Sequence, residues 1–290
     1  MVEIEANKAR LLAQVRKIVV HGGLAHVDDI MACAIAYAFG VPHDAAVERR
    51  NPTADELASP AAMVLDVGGL EAPERLDFDH HQRPRELPPK CAYVLLSEWL
   101  GVDAELKLLF PWYETWNLVD VLGPFAAAQA VGSTWSRIEG LVENPLADFV
   151  IRRFADDPAF RNRLALSLAR GIELTRKCWR ALEAKVTTRE IAGLKVGDFT
   201  ACETTEISRA SDIWVRVYRP ACLVSKDNRG PGLTLLRCHD DPRLDFTRCA
   251  RKPYAAFAHP GGFLLKTRTR TDDVETALAD ALVQPSDRVR

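Results

Sequence analysis

Two aspartates and two adjacent histidines crowd into RLDFDHHQRPRE, residues 75–86, as Asp77, Asp79, His80 and His81. Burying such groups costs several kcal/mol each unless they are paired or bound to a metal. A second group stands at HGGLAHVDD, where His21, His26 and Asp28 fall within eight residues. A divalent cation takes neutral imidazole nitrogen and carboxylate oxygen, and a glycine-containing turn lets several such donors bend around one ion. Asp66 in AAMVLDVGG is placed to bridge two ions, and Asp120 in TWNLVDVLG completes a cage of three carboxylates and two or three imidazoles. Neighbouring side chains on a strand face opposite ways, so one of His80 and His81 would ligate metal while the other meets substrate.

The donors are nitrogen and oxygen only. Seven cysteines, at 33, 91, 178, 202, 222, 238 and 249, form no C-x-x-C pair, which excludes a thiolate zinc site and a disulfide framework and suits buried reduced thiols. Mixed N/O ligation points to Mn²⁺ first, with Mg²⁺, Co²⁺ and Zn²⁺ also compatible. Two such ions roughly 3.5 to 4 Å apart would share a water and clamp a phosphoryl group, so phosphoester hydrolysis is the chemistry favoured.

What positions these groups is a repeated step from an apolar run to a polar turn. Ile18-Val19-Val20 reads as a buried strand ending at His21, and DDIMACAIAYAFG as the helix that follows; a helix is also read over residues 3–16. Met63-Val64-Leu65 ends at Asp66, RLDF ends at the Asp79-His80-His81 cluster, and Leu118-Val119 is read as a fourth run ending at Asp120. CAYVLLSEWLG supplies a helix closing at Gly101. Strands alternating with helices predict an α/β domain with a mainly parallel sheet, in which sites form beyond the carboxyl ends of the strands. All four segments would then meet on one rim.

Three regions are expected: an α/β domain over 1–135, a helical connector over 136–187 that includes PLADFVIRRFADD, and a smaller α+β domain over 188–290 ending in the helix DDVETALADALV. Hydrophobic residues at 48% and charged residues at 27% exclude wholesale disorder, and a net charge of −2 gives no global bias toward nucleic acid. No signal-peptide core or bilayer-length apolar run is present, so a cytoplasmic protein without membrane attachment is expected. Other His-Asp pairs, His43-Asp44 and His239-Asp240, follow a proline and an expected strand, not the helix interiors that an HD phosphohydrolase requires.

VHGGLAHVDDIMAC, VLDVGGLEAPERLDFDHHQR and the acid of LVDVLGP together resemble the motifs of the DHH phosphoesterase superfamily, which includes RecJ-like nucleases and family II pyrophosphatases. More closely, H-x-G-x-x-H-x-D, then D-V-G-G with P-E-R and D-H-H-Q-R, and the late AFAHPGGFLLKT are similar to the melanocyte proliferating gene family of 3'-5' RNA exonucleases. The resemblance runs over about 17–124 and 255–285. It implies a DHH catalytic domain, a DHH-associated second domain and a Mn²⁺ or Mg²⁺ pair between them. By position it implies His21, His26, Asp28, Asp66, His80 and Asp120 as metal ligands, Asp66 bridging, His81 as a phosphate contact and Asp79 as the group that orients His80. The chain departs from the family at Gly123-Pro124, where an acid is often found.

Residues 241–270 hold seven Lys or Arg against two Asp, with Phe246, Tyr254, Phe257 and Phe263 interleaved. Cations for phosphates and aromatics for stacking suit single-stranded RNA or an oligonucleotide as substrate. In His259-Pro260-Gly261-Gly262 the glycines would let backbone N–H groups approach a phosphate that His259 also contacts. Arg83, Arg248 and Arg251 are further phosphate candidates. Two other functions fit the same residues: a phosphatase or pyrophosphatase acting on a small nucleotide, and a non-catalytic nucleotide-binding regulator.

Overall fold

The computed structural model describes residues 5–22, 26–110, 112–137, 157–271 and 273–283 of the 290-residue chain. They fall into two compact units, Met1–Glu173 and Leu174–Arg290.

In the first unit α1 (Ala6–Gln14) leads to β1 (Lys17–Val20), whose Ile18, Val19 and Val20 are all fully buried. Consecutive β-branched residues suit a central strand covered on both faces. After α2 (Val27–Ala38) comes β2 (Ala46–Arg49), then α3 (Ala54–Ala58) and β3 (Ala62–Leu65). β2 and β3 flank β1 in parallel, with Val20 opposite Arg49 on one side and Leu65 on the other. The short β4 (Glu71–Ala72) and β5 (Asp77–Phe78) complete the sheet in the order β2-β1-β3-β5-β4. β5 runs parallel to β3, and only β4 is antiparallel to its neighbour. The expected mainly parallel α/β sheet is present.

α4 (Ala92–Leu100) ends at Gly101 in the left-handed region, as the sequence suggests, and packs with α2 over the sheet around Tyr93, Leu96, Cys33 and Ile35. α5 (Asp103–Leu109), α6 (Tyr113–Leu122) and α7 (Pro124–Ala130) follow. Here the expectation for Asp120 is corrected: it sits in α6, not at a strand end. The apolar pair Leu118-Val119 belongs to a longer helical period in which Tyr113 and Asn117, four apart, are the buried positions. α8 (Pro158–Lys185) follows, and its Ala165 and Ile172 enter the first unit's core. The stretch 138–156, which holds most of PLADFVIRRFADD, lies outside the described residues.

The second unit is built on a six-stranded sheet in the order β10-β11-β9-β8-β7-β6. Its strands are β6 (Thr187–Ile191), β7 (Leu194–Asp198), β8 (Cys222–Lys226), β9 (Leu233–Arg237), β10 (Ala255–Ala258) and β11 (Leu264–Thr267). Only β7 and β8 pair in parallel, because α9 (Thr204–Tyr218) crosses between them. That helix was not expected from sequence, although Ala210, Ile213 and Trp214 bury one face at helical spacing. α10 (Val274–Ala281) covers the other side of the sheet through Ala277, Leu278 and Ala281. Gly232 is demanded by packing: a Cβ there would stand 1.9 Å from the Thr267 carbonyl oxygen.

All seven cysteines are free thiols, and all but Cys178 are buried. Among the described residues no helix is long and apolar enough to cross a membrane.

Candidate metal centre

Each segment reaches the centre by a different local device. His21 directly follows β1, and His26 stands at the N-cap of α2, with the two rings stacked 5.4 Å apart. Gly23, Leu24 and Ala25 between them lie outside the described residues. Asp28 in the first turn of α2 is buried and reaches α4, where it accepts the N–H groups of Ala92 at 2.9 Å and Tyr93 at 2.7 Å. Those donors are the unpaired start of a helix, so a carboxylate satisfies both their hydrogen bonds and the dipole.

Asp66 ends β3 in a left-handed conformation with φ 55° and is buried. A non-glycine residue there carries backbone strain of about 1 kcal/mol or more, the kind of cost that collects at functional sites. β5 stops at Phe78, so the next residues leave the alternation of a strand. Asp79 accepts Gly69 N–H at 2.7 Å and, through Oδ1, both His81 N–H at 3.0 Å and His81 Nδ1 at 2.7 Å. The expected partner of Asp79 was His80; the structure replaces it with His81, because the chain bends after β5 and turns the two rings to different neighbours. His80 is 8% exposed and its Nε2 lies 3.0 Å from Asp66 Oδ1 and 3.1 Å from Asp120 Oδ2. The His81 ring, stacked 4.4 Å from it, has 58% of its side chain in solvent.

Among the described residues, candidate ligand atoms within 4.8 Å of one another form three sets: His21, His26, Asp29 and Asp66; Asp28, Asp66, His80 and Asp120; and Asp66, His80 and His81. Asp66 is common to all. Asp28 falls with His80 and Asp120, whereas its neighbour Asp29 joins the two histidines of the opening motif. Sequence reasoning passed over Asp29, although its place three residues after the N-cap was a signal: its Oδ2 accepts His26 N–H at 2.8 Å. Its carboxylate also lies 3.4 Å from Arg49.

These donors fit a cation better than one another. His21 Nδ1, Asp29 Oδ1, Asp66 Oδ1 and His80 Nε2 are buried without a hydrogen-bond partner among the described residues, the close approaches of His80 lacking hydrogen-bond geometry. Leaving buried polar atoms unpaired costs about 1 to 3 kcal/mol each. Burial, then Asp120 and Asp66, pushes the Asp28 carboxyl well above its usual range. Burial alone would lower His80, yet the Asp120 and Asp66 carboxylates raise it to about 10, as a cage short of positive charge requires. Asp29 is raised by burial to about 6. Cys91 lies beside Asp28, but burial and the neighbouring carboxylates push its thiol up, so no thiolate competes as a ligand.

Asp79 remains a carboxylate. Burial raises it, but the His81 and Gly69 N–H groups and the His81 ring together hold it below its usual value. Asp77 is separate: 1% exposed, with neither oxygen partnered, it is raised to about 7 by burial and then by Asp79.

A cleft of about 440 Å³ opens beside the cage, lined among others by His80, His81, Arg83, Arg85 and Asp120. Arg83 lines it while paired to Glu71. The remaining expected substrate contacts belong to the second unit. His259 Nδ1 accepts Gly261 N–H at 3.0 Å, and Gly262 N–H donates to the His259 carbonyl at 2.8 Å. Both glycine donors expected to face a phosphate are therefore committed within their own turn. Gly262, with φ 69°, is a packing glycine, since a Cβ would meet Asp245 Oδ1 at 2.3 Å. Arg248 directs Nε to the Asp280 carbonyl, and Arg251 is exposed. Phe246, expected among the stacking aromatics, is fully buried, whereas Phe257 is exposed.

Residues 17–97 match the profile of the family described as MYG1_exonuc, uncharacterised protein family UPF0160. Over 78 residues the chain is 40% identical to MYG1 exonuclease of Homo sapiens, an alignment covering 27% of this chain and 20% of that protein. Among solved structures, the DHH domain of a member of the s1p family of ribosomal proteins gives a TM-score of 0.32 at 13% identity, covering 94% of this chain and 87% of that one. RecJ from Thermus thermophilus in complex with Mn²⁺ gives 0.26 at 18% identity, covering 96% and 54%. Likenesses of that size carry no weight for function. The matched residues hold the parallel strands of an α/β fold and the Asp79-His80-His81 triplet.

Proposed function

We propose, for a chain that residues 17–97 relate to the MYG1 exonuclease family, that the Asp66 cage holds two divalent cations and hydrolyses phosphodiesters. The observation carrying this reading is that Asp66 is shared by two sets of donors, His21, His26 and Asp29 on one side and Asp28, His80 and Asp120 on the other. Mixed N/O donors suit Mn²⁺ first, then Mg²⁺. Bound there, the pair would supply an activated water and neutralise charge on the phosphoryl oxygens.

The chain's own groups do the rest. Asp28 ties its set to the start of α4, so donor positions are fixed by helix packing rather than by a loop. His81, exposed beside the cage and held through Nδ1 by Asp79, would donate from its other ring nitrogen to a non-bridging phosphate oxygen as the doubly protonated imidazolium. Arg83, which lines the cleft beside the cage, is the candidate for gripping the rest of the substrate.

The finer reading is 3'-5' exonuclease action on RNA or short oligonucleotides. The small cleft also favours a second one, a phosphatase on a small nucleotide. With Mn²⁺ present, 5'-labelled single-stranded RNA should shorten stepwise from its 3' end. Phosphate release confined to mononucleotides or pyrophosphate would move the assignment to the second reading, and failure to cleave any phosphoester would leave a nucleotide-binding role.

A further inference from the structure

Two leucines on the first unit stand in solvent with no core to explain them: Leu87 is 48% exposed and Leu122 is 46% exposed. Both line the cleft that begins at His80, His81 and Asp120. Its wall over residues 83–90 also carries Arg83, Arg85 and Lys90, and three prolines stiffen it. Asn117 in α6 pins that wall by accepting Cys91 N–H at 2.8 Å and donating to the Pro89 carbonyl at 2.9 Å. The three cations are not equivalent. Arg83 is paired to Glu71 and Lys90 to Glu98, while Arg85 is exposed and has no ion pair among the described residues.

We infer that this cleft is a single-nucleotide pocket, in which Arg85 holds a phosphate and Leu87 and Leu122 form the platform for one unstacked base. The inference rests on the phosphoesterase reading and deepens it, since it makes the substrate a strand end or short oligonucleotide. The volume of about 440 Å³ lies low in the ligand-pocket range of about 300 to 1,000 Å³. That is room for one nucleotide, not for a base-paired duplex. An apolar platform accepts any base, because every base has a flat apolar face, so the pocket reads the presence of a base rather than its identity.

The test is equilibrium binding of AMP and of ribose 5-phosphate to the full chain in saturating Mn²⁺, for wild type, Arg85→Ala and Leu122→Ser, with folding checked by circular dichroism. AMP should bind wild type roughly tenfold more tightly than ribose 5-phosphate, the difference being the base. Arg85→Ala should weaken both ligands by at least about tenfold, the loss of a charge-assisted contact. Leu122→Ser should weaken AMP alone, by roughly fivefold. Equal affinity of wild type for the two ligands, or AMP binding unchanged in both variants, would overturn the pocket. Because AMP and ribose 5-phosphate contain no phosphodiester, their binding is read apart from RNA cleavage, so the pocket can stand where hydrolysis of RNA by the wild type fails, and can fall where hydrolysis succeeds.

Discussion

One oxygen of Asp79, Oδ1, takes both the backbone N–H of His81 at 3.0 Å and its ring Nδ1 at 2.7 Å, so a single buried carboxylate fixes the histidine's position and its tautomer. With Nδ1 donating to Asp79, the other ring nitrogen donates to a phosphate oxygen only in the doubly protonated imidazolium. Asp79→Asn should lower kcat on an oligonucleotide by about 10- to 100-fold, the usual loss for a supporting carboxylate, while Mn²⁺ affinity stays within about threefold. His81→Ala should cost as much, and the double variant no more than either alone. Additive losses in steady-state kinetics would show that Asp79 does not act through His81.

Asn117 is a buried amide whose two ends join α6 to the segment before α4. Asn117→Ala leaves Cys91 N–H and the Pro89 carbonyl unpaired, and should cost about 2 to 4 kcal/mol in urea unfolding. A cost below about 0.5 kcal/mol would mean that the two groups find other partners and that the cleft wall is not pinned from α6.

Asp77 ties stability to pH. Its carboxyl, raised to about 7 by burial and then by Asp79, keeps its proton in the folded state after the unfolded chain has lost it near pH 4. The unfolded state then binds fewer protons, so this group's contribution to stability falls as pH rises from about 4 to 7 and stays low above. Asp77→Asn removes the titration. Relative to wild type, the variant should gain on the order of 2 to 4 kcal/mol between pH 4 and pH 8. Urea unfolding at both pH values checks this; the same difference at each would place the Asp77 pKa near its ordinary value.

Much of this was legible in the sequence because periodicity and punctuation coincide there. Ile18 to Val20 is β-branched, buried and followed at once by a polar turn, and the same step recurs at Asp66, so strand ends and candidate donors could be read together. Asp120 could not be placed that way: a run of two apolar residues before an acid occurs on helices too, and only the four-residue spacing of Tyr113 and Asn117 reveals the helix. Asp29 was hidden by its neighbour, since adjacent acids in a first helical turn point to different sides and sequence alone does not say which side the histidines occupy. α9 was obscured by Ile207, Ile213, Val215 and Val217, which carry high strand propensity that tertiary packing against Leu223 overrides. The turn at Gly261-Gly262 was read for its N–H donors, which the His259 ring and carbonyl consume.

The central claim is that Asp66 is shared between two cation sites. Mn²⁺ titrated into metal-free protein, by calorimetry with metal analysis of the dialysed complex, measures it most directly. Wild type should take up two ions per chain, and Asp66→Asn should lose tight binding of both while staying folded, because the substitution removes one of the carboxylates whose repulsion adds to burial in raising Asp28. One ion per chain in the wild type, or two in Asp66→Asn with unchanged affinity, would contradict it.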